Sequence, residues 1–246
     1  MLGLVSISFR KNTPEEIVAE MKKCGLTNIE WGSDIHAPCD DLDKLKSIKR
    51  LCDENGISCS SYGTYFKIGV HPTDDIINYI NAAKILGTDI LRLWCGTKKS
   101  DEYTSEEKTK LFAECKILAD IAKKENVTLC MECHPGTFTE TLDGAIELME
   151  AVDCENFRMY WQPNQFTTAE NNFKYAETMA KYTKVIHVFN WTKDQWLPLS
   201  GGIEIWKKYL SYFDKTQKLL LEFMPDNRIE SLKTESDALK VIAKGV

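Results

Sequence analysis

Basic charge is in short supply in this 246-residue chain: 31 Lys and Arg face 37 Asp and Glu, a formal net charge of −6. Nucleic-acid binding depends on Lys and Arg neutralising phosphate, so that class of partner is disfavoured, as is an anionic membrane surface. Long apolar runs are missing too. No uninterrupted stretch is long enough to span a bilayer, and Met1–Arg10 has no basic n-region and meets a charge before a signal h-region could form. The expected location is therefore the cytoplasm. No Pro/Ser-rich linker or shift of composition divides the chain, so residues 1–246 are expected to form one domain.

Nine cysteines are present, odd in number and scattered, which suits reduced thiols used as small core residues better than a disulfide framework. β-rich runs alternate with amphipathic stretches. Expected strands begin near Leu2, Thr27, Ile57, Asp89, Val127, Asn156, Lys184 and Gln217, at intervals of 25 to 38 residues, each about one strand-plus-helix unit. Thr13-Pro14-Glu15-Glu16 supplies an N-cap, a first-turn proline and a capping-box acid. Gly25, Gly56 and Gly87 stand where helices should stop. Leu111, Phe112, Cys115, Leu118, Ala119 and Ala122 form one helical stripe. Eight such units in this length are the usual size of a (β/α)8 TIM barrel. A doubly wound open sheet would want a glycine-rich loop after its first strand, and Ser8-Phe9-Arg10-Lys11-Asn12 contains no glycine.

Barrel enzymes work at the C-terminal ends of their strands. Alternation puts Glu132 and His134 on one face of strand 5, and His187 on one face with Phe189 and Trp191 of strand 7. On strand 8, Glu222 is embedded in an apolar run, where a carboxylate is costly unless a cation or hydrogen bonds satisfy it. Glu132, His187 and Glu222 converging on one mouth would suit one divalent ion, Mn²⁺, Mg²⁺, Co²⁺ or Zn²⁺. Either glutamate alone has an alternative partner in Arg92, and His187 alone an alternative as a core histidine. Glu30, His36, Arg92, Trp94, His134, Asn164 and Trp191 are candidate substrate-binding groups, with His36 and His134 alternatively plain loop residues. Trp31, Trp94, Trp161 and Trp191 all lie at strand ends, where indoles can stack on a sugar or simply pack the rim. Cys130-Met131-Glu132-Cys133-His134 matches a haem-attachment pattern, yet strand geometry sends Cys130 and Cys133 to opposite faces. Ser200-Gly201-Gly202, before the seventh helix, could hold a phosphate at a helix N-terminus but lacks the rest of a P-loop, and a plain Ser cap is the alternative.

Ile-Glu-Trp-Gly-Ser-Asp-Ile-His, Leu-Arg-Leu-Trp-Cys-Gly, Met-Glu-Cys-His-Pro-Gly-Thr-Phe-Thr-Glu-Thr, Tyr-Trp-Gln-Pro-Asn and Trp-Leu-Pro-Leu-Ser-Gly-Gly resemble the sugar phosphate isomerase/epimerase family of xylose-isomerase-like TIM barrels. The resemblance implies one divalent ion held by Glu132, Gln162, His187 and Glu222. It also implies that Glu132 and Glu222 form the acid/base pair that moves a proton beside a carbonyl. Gln162 stands where the family usually has Asp, and Gln165 where a His is common; a neutral amide is the weaker ligand. Lys193 falls near the family's basic position after the strand-7 His and would bind a substrate oxygen or help hold the metal site's charge balance. The implied activity is that of an isomerase or epimerase of a sugar, sugar acid or cyclitol. A lyase or dehydratase on the same barrel is the alternative, as is a non-catalytic sugar-binding or partner subunit with a degenerate metal site. The family's DNA-repair branch, which uses several zinc ions and many histidines, fits poorly with four histidines and this net charge. Whether the chain works alone or as a homo-oligomer is left open.

Overall fold

Thr13 caps the first helix through a reciprocal capping box with Glu16, and Pro14 opens it. The same device recurs at Thr104 and Glu107. Gly25, Gly56 and Gly87 take left-handed φ values of 69°, 66° and 82°, which ends the first three helices where expected. The computed structural model describes residues 1–245, and Val246, the last residue of the expected domain, lies outside the described residues.

Eight strands and eight main helices alternate. They are β1 (Leu2–Val5), α1 (Pro14–Cys24), β2 (Asn28–Gly32), α2 (Leu42–Glu54), β3 (Ser58–Ile68), α3 (Ile76–Leu86), β4 (Ile90–Cys95), α4 (Ser105–Lys124), β5 (Thr128–Glu132), α5 (Leu142–Val152), β6 (Phe157–Trp161), α6 (Ala169–Met179), β7 (Thr183–Val188), α7 (Ile203–Leu210), β8 (Lys218–Leu221) and α8 (Leu232–Lys244). Every strand starts within 1 residue of its expected start. All pair in parallel, each with its chain neighbours, and β8 closes on β1. This is a (β/α)8 TIM barrel, and the open-sheet alternative is excluded.

Strand parity divides the core in two. Ile29, Trp31, Leu91, Leu93, Leu129, Met131, Met159, Trp161, Ile186, Val188, Leu219 and Leu221 face outward into the layer between strands and helices. Val5, Ile90, Cys130, Tyr160, Val185 and Leu220 fill the barrel interior. Cys130 and Cys133 fall into different clusters, and all nine cysteines are free, as the alternation of a strand requires. Above the interior apolar layer, the inward positions of the next turn of the barrel are polar. That change of character is where the site begins.

Among the described residues, no helix is long and apolar enough to cross a membrane.

Candidate metal centre at the barrel mouth

The C-terminal ends of β5 to β8 bring together the four side chains expected as ligands. Glu132 is the last residue of β5, His187 sits near the end of β7, and Gln162 and Glu222 follow β6 and β8. His187 Nδ1 lies 3.3 Å from Glu132 Oε1 and 3.6 Å from Glu222 Oε2. Gln162 Oε1 is 3.3 Å from the same nitrogen, and the Gln162 amide leans on the Cys133 carbonyl, to which its Nε2 donates at 3.5 Å. Glu132, His187 and Glu222 each offer a ligand atom within 4.8 Å of the others.

A second layer holds these groups. Arg92 pairs with Glu132 through Nη1 and approaches Glu30 Oε1 at 3.3 Å through Nε. The Trp94 indole N–H also donates to Glu132. The pairing of Glu132 with Arg92, an alternative to a metal role, is thus present alongside the metal-like cluster. Burial alone would raise the Glu132 carboxyl, yet Arg92 and His187 outweigh it and hold the group well below the usual carboxylate range. Glu222 has no such clamp. Burial pushes it up to about 7 against the pull of His187. Burial would lower His187, but Glu222 and Glu30 raise it to about 10.

Three buried carboxylates, those of Glu30, Glu132 and Glu222, face a single guanidinium, so a neutral imidazole leaves the cluster with excess negative charge. Burying such charge is costly unless a cation compensates it. Without an ion, the raised His187 supplies a proton for that purpose; a divalent cation among the same oxygens would do so fully. The donors are carboxylate oxygens, one amide oxygen and one imidazole nitrogen, which fit Mn²⁺, Mg²⁺, Co²⁺ or Zn²⁺ rather than a thiolate-seeking ion. Glu132, His187 and Glu222 could hold it, with Gln162 Oε1 facing the same point.

Over this cluster opens a cavity of about 180 Å³, with Arg92, Trp94, Glu132, His134, Gln162 and Glu222 in its wall and Trp191 at its rim. Several expected substrate contacts lie elsewhere. His36 is buried behind the β1–α1 connection, bonded to Ser6 Oγ at 3.1 Å and to the Asn12 carbonyl at 3.2 Å, so it is a structural histidine. Glu30 is 0% exposed and lies beneath the cavity rather than in its wall. Asn164 spends its side chain on its own loop, accepting from the Phe166 amide at 2.8 Å. Exposed Lys193 shares with Asn164 and Trp191 a neighbouring depression outside the cavity. Trp31 and Trp161, expected at a sugar platform, are 0% and 1% exposed in the outer layer, since each sits one residue away from an inward position. Trp191 is stacked on Phe189 at 3.8 Å and lies nearly parallel to Trp196 at 5.4 Å, which commits its faces to neighbours within the protein.

Cavity residues not anticipated are Ile7, Arg10, Tyr65 and Phe223. Tyr65 lies on β3, within reach of the strand-end rule, whereas Arg10 follows the short 3-10 turn Ser6–Phe9 that comes after β1 and is carried to the cavity by that turn. Phe223 turns inward through a left-handed φ of 50°, a conformation no residue pattern announces.

Comparison with known proteins agrees with this architecture. A 3-dehydroshikimate dehydratase of Bacillus anthracis is 26% identical over 117 residues, 48% of this chain and 40% of that protein. An inosose dehydratase of Serratia proteamaculans (strain 568) is 28% identical over 166 residues, 61% of this chain and 54% of that protein. The matched stretches thus span about half or less of each relative. Among solved structures, AsbF of B. anthracis, described as a probable 3-DHS dehydratase, superposes with a TM-score of 0.83 at 18% identity, over 97% of this chain and 98% of that one. The IOLI protein with a bound zinc atom gives 0.78 at 15% identity, over 100% and 99%. A D-psicose 3-epimerase in the presence of D-fructose gives 0.70 at 12% identity, over 97% and 96%. These structural likenesses speak for the fold alone. The description of one family matches residues 18–244, nearly the whole length, and the chain belongs to that family, the xylose isomerase-like TIM barrels.

Proposed function

We propose that this chain, folded as one domain over residues 1–246, is a divalent-metal enzyme of small polyhydroxylated carbonyl compounds: sugars, sugar acids or cyclitols. Its common step would be removal of a proton from the carbon beside the carbonyl. The observation that carries this reading is the unequal pair of buried carboxylates, Glu132 and Glu222, which both face His187 Nδ1 and both line one small cavity. Glu132 is held ionised by Arg92 and Trp94, fit to orient and to bear charge. Glu222, pushed up to about 7, can take a proton and return it near neutral pH. A divalent ion in this cluster would polarise the carbonyl oxygen and offset the charge of an enolate. His134 and Trp94, packed with ring centroids 4.9 Å apart, form part of the cavity wall.

Two fates of that enolate differ only in what leaves next. Returning the proton gives isomerisation or epimerisation, which the family resemblance implies. Expelling a hydroxyl from the adjacent carbon gives dehydration, the reaction named for both curated relatives. Either fate draws on one carboxylate that stays ionised and one that exchanges a proton near neutral pH, which Glu132 and Glu222 supply.

Incubation of Mn²⁺-loaded protein with candidate ketoses, sugar acids and inososes in D₂O tests the step. Deuterium should enter at the carbon beside the carbonyl, or water should be lost with a new conjugated absorbance. Glu222→Gln should retain the fold and lose about 10²–10⁴ of the rate. Full exchange in that variant would remove Glu222 from the acid/base role.

A further inference from the structure

We propose that Glu30 is a positioning residue: it fixes the protonated nitrogen of His187 at Nε2 and so turns the Nδ1 lone pair toward Glu132, Glu222 and Gln162. The inference rests on the metal reading of the site given above. Glu30 lies on β2, 0% exposed and below the cavity, so substrate does not reach it. Its Oε2 accepts from the Tyr160 hydroxyl at 2.8 Å and the Ser61 hydroxyl at 3.0 Å, and faces His187 Nε2 at 3.3 Å. Its Oε1 lies 3.3 Å from Arg92 Nε. Side chains from four other strands therefore hold one carboxylate in a single orientation.

An ionised carboxylate only accepts hydrogen bonds. Glu30 Oε2 already takes hydrogens from the Tyr160 and Ser61 hydroxyls, and Oε1 faces the Arg92 guanidinium, so the carboxylate stands among donors only. Its neighbour Nε2 must therefore carry a hydrogen. Across the ring, Nδ1 meets only oxygens, from Glu132, Glu222 and Gln162, at 3.3 to 3.6 Å. Lone pairs crowded in this way repel unless a proton or a cation lies among them. A carboxylate behind an imidazole also makes its far nitrogen a better metal donor.

Space for Glu30 depends on Gly63 of β3. A Cβ at that position would stand 2.4 Å from Glu30 Oε1, although the backbone there suits any residue. Gly63→Ala thus shifts the carboxylate without removing its charge, whereas Glu30→Gln removes the charge and keeps the shape.

The test is calorimetric titration of metal-stripped protein with Mn²⁺, together with ¹⁵N NMR of the His187 ring in the Zn²⁺-loaded protein. In the wild type, Nε2 should carry a slowly exchanging hydrogen and Nδ1 the metal. Glu30→Gln should keep its circular dichroism, bind Mn²⁺ about 10–100-fold more weakly and exchange the Nε2 hydrogen faster. Gly63→Ala should weaken binding in the same direction. Folded variants that bind as tightly as the wild type would overturn the role of Glu30 alone. If neither variant folds, the wild-type spectrum decides: metal on Nε2 with Nδ1 protonated overturns the inference. A wild type that binds no divalent ion overturns the metal reading and this inference with it.

Discussion

At the scale of single residues, charge explains the site better than residue identity does. His187 and Glu222 both have raised values in the metal-free protein, about 10 and about 7. A raised value means that the protonated form stabilises the fold, a contribution complete below the unfolded-state value and lost as pH rises through the folded one. Between pH 7 and 10 the metal-free protein should therefore lose stability as His187 gives up its proton, and apparent metal affinity should climb over the same range. Thermal melts with and without Mn²⁺ across that window check both; a gap between the curves that narrows with rising pH would contradict them. His36 makes the opposite case. Its two ring nitrogens are spent on Ser6 and Asn12, so His36→Ala should cost about 1–3 kcal/mol of stability and leave Mn²⁺ affinity unchanged. Glu132, His187 and Glu222 were legible as a set because a carboxylate in an apolar strand demands a partner. The role of Glu30 was not legible, since a strand pattern gives depth only roughly and whether a group lies in the cavity wall or beneath it depends on neighbours such as Gly63.

At the scale of elements, alternation along each strand sorts side chains between the site and the outer core. It puts Glu30 inside and Trp31 outside, Tyr160 inside and Trp161 outside. Of the strand-end tryptophans, open between stacking on a sugar and packing the rim, that same rule sends Trp31 and Trp161 to the outer core, while Trp94 lines the cavity. Trp161 packs against Trp206, Tyr209 and Phe213 at centroid distances of 5.0 to 5.9 Å, an aromatic knot between β6 and α7. Trp161→Ala should cost about 3–5 kcal/mol in urea unfolding. A loss of sugar binding without a loss of stability would return Trp161 to the ligand. Strand starts and helix stops were legible to within a residue because glycine caps and capping boxes act locally. The inward turn of Phe223 and the pairing of Trp191 with Trp196 across their loop were not, being set by tertiary packing.

At the scale of the whole molecule, closure of eight parallel strands gathers residues as distant in sequence as Glu30 and Glu222 around one imidazole. Because the ligands come from separate strands, a bound ion ties β5, β7 and β8 together and stabilises only the folded chain. Mn²⁺ at about 100 times its dissociation constant should add about 2.7 kcal/mol to unfolding. The most direct test of the metal centre is elemental analysis of untagged protein beside His187→Ala. Near-stoichiometric divalent metal in the wild type, lost in a folded His187→Ala, is the predicted result. A wild type that holds no divalent metal and gains no stability from Mn²⁺, Mg²⁺, Co²⁺ or Zn²⁺ would contradict the account.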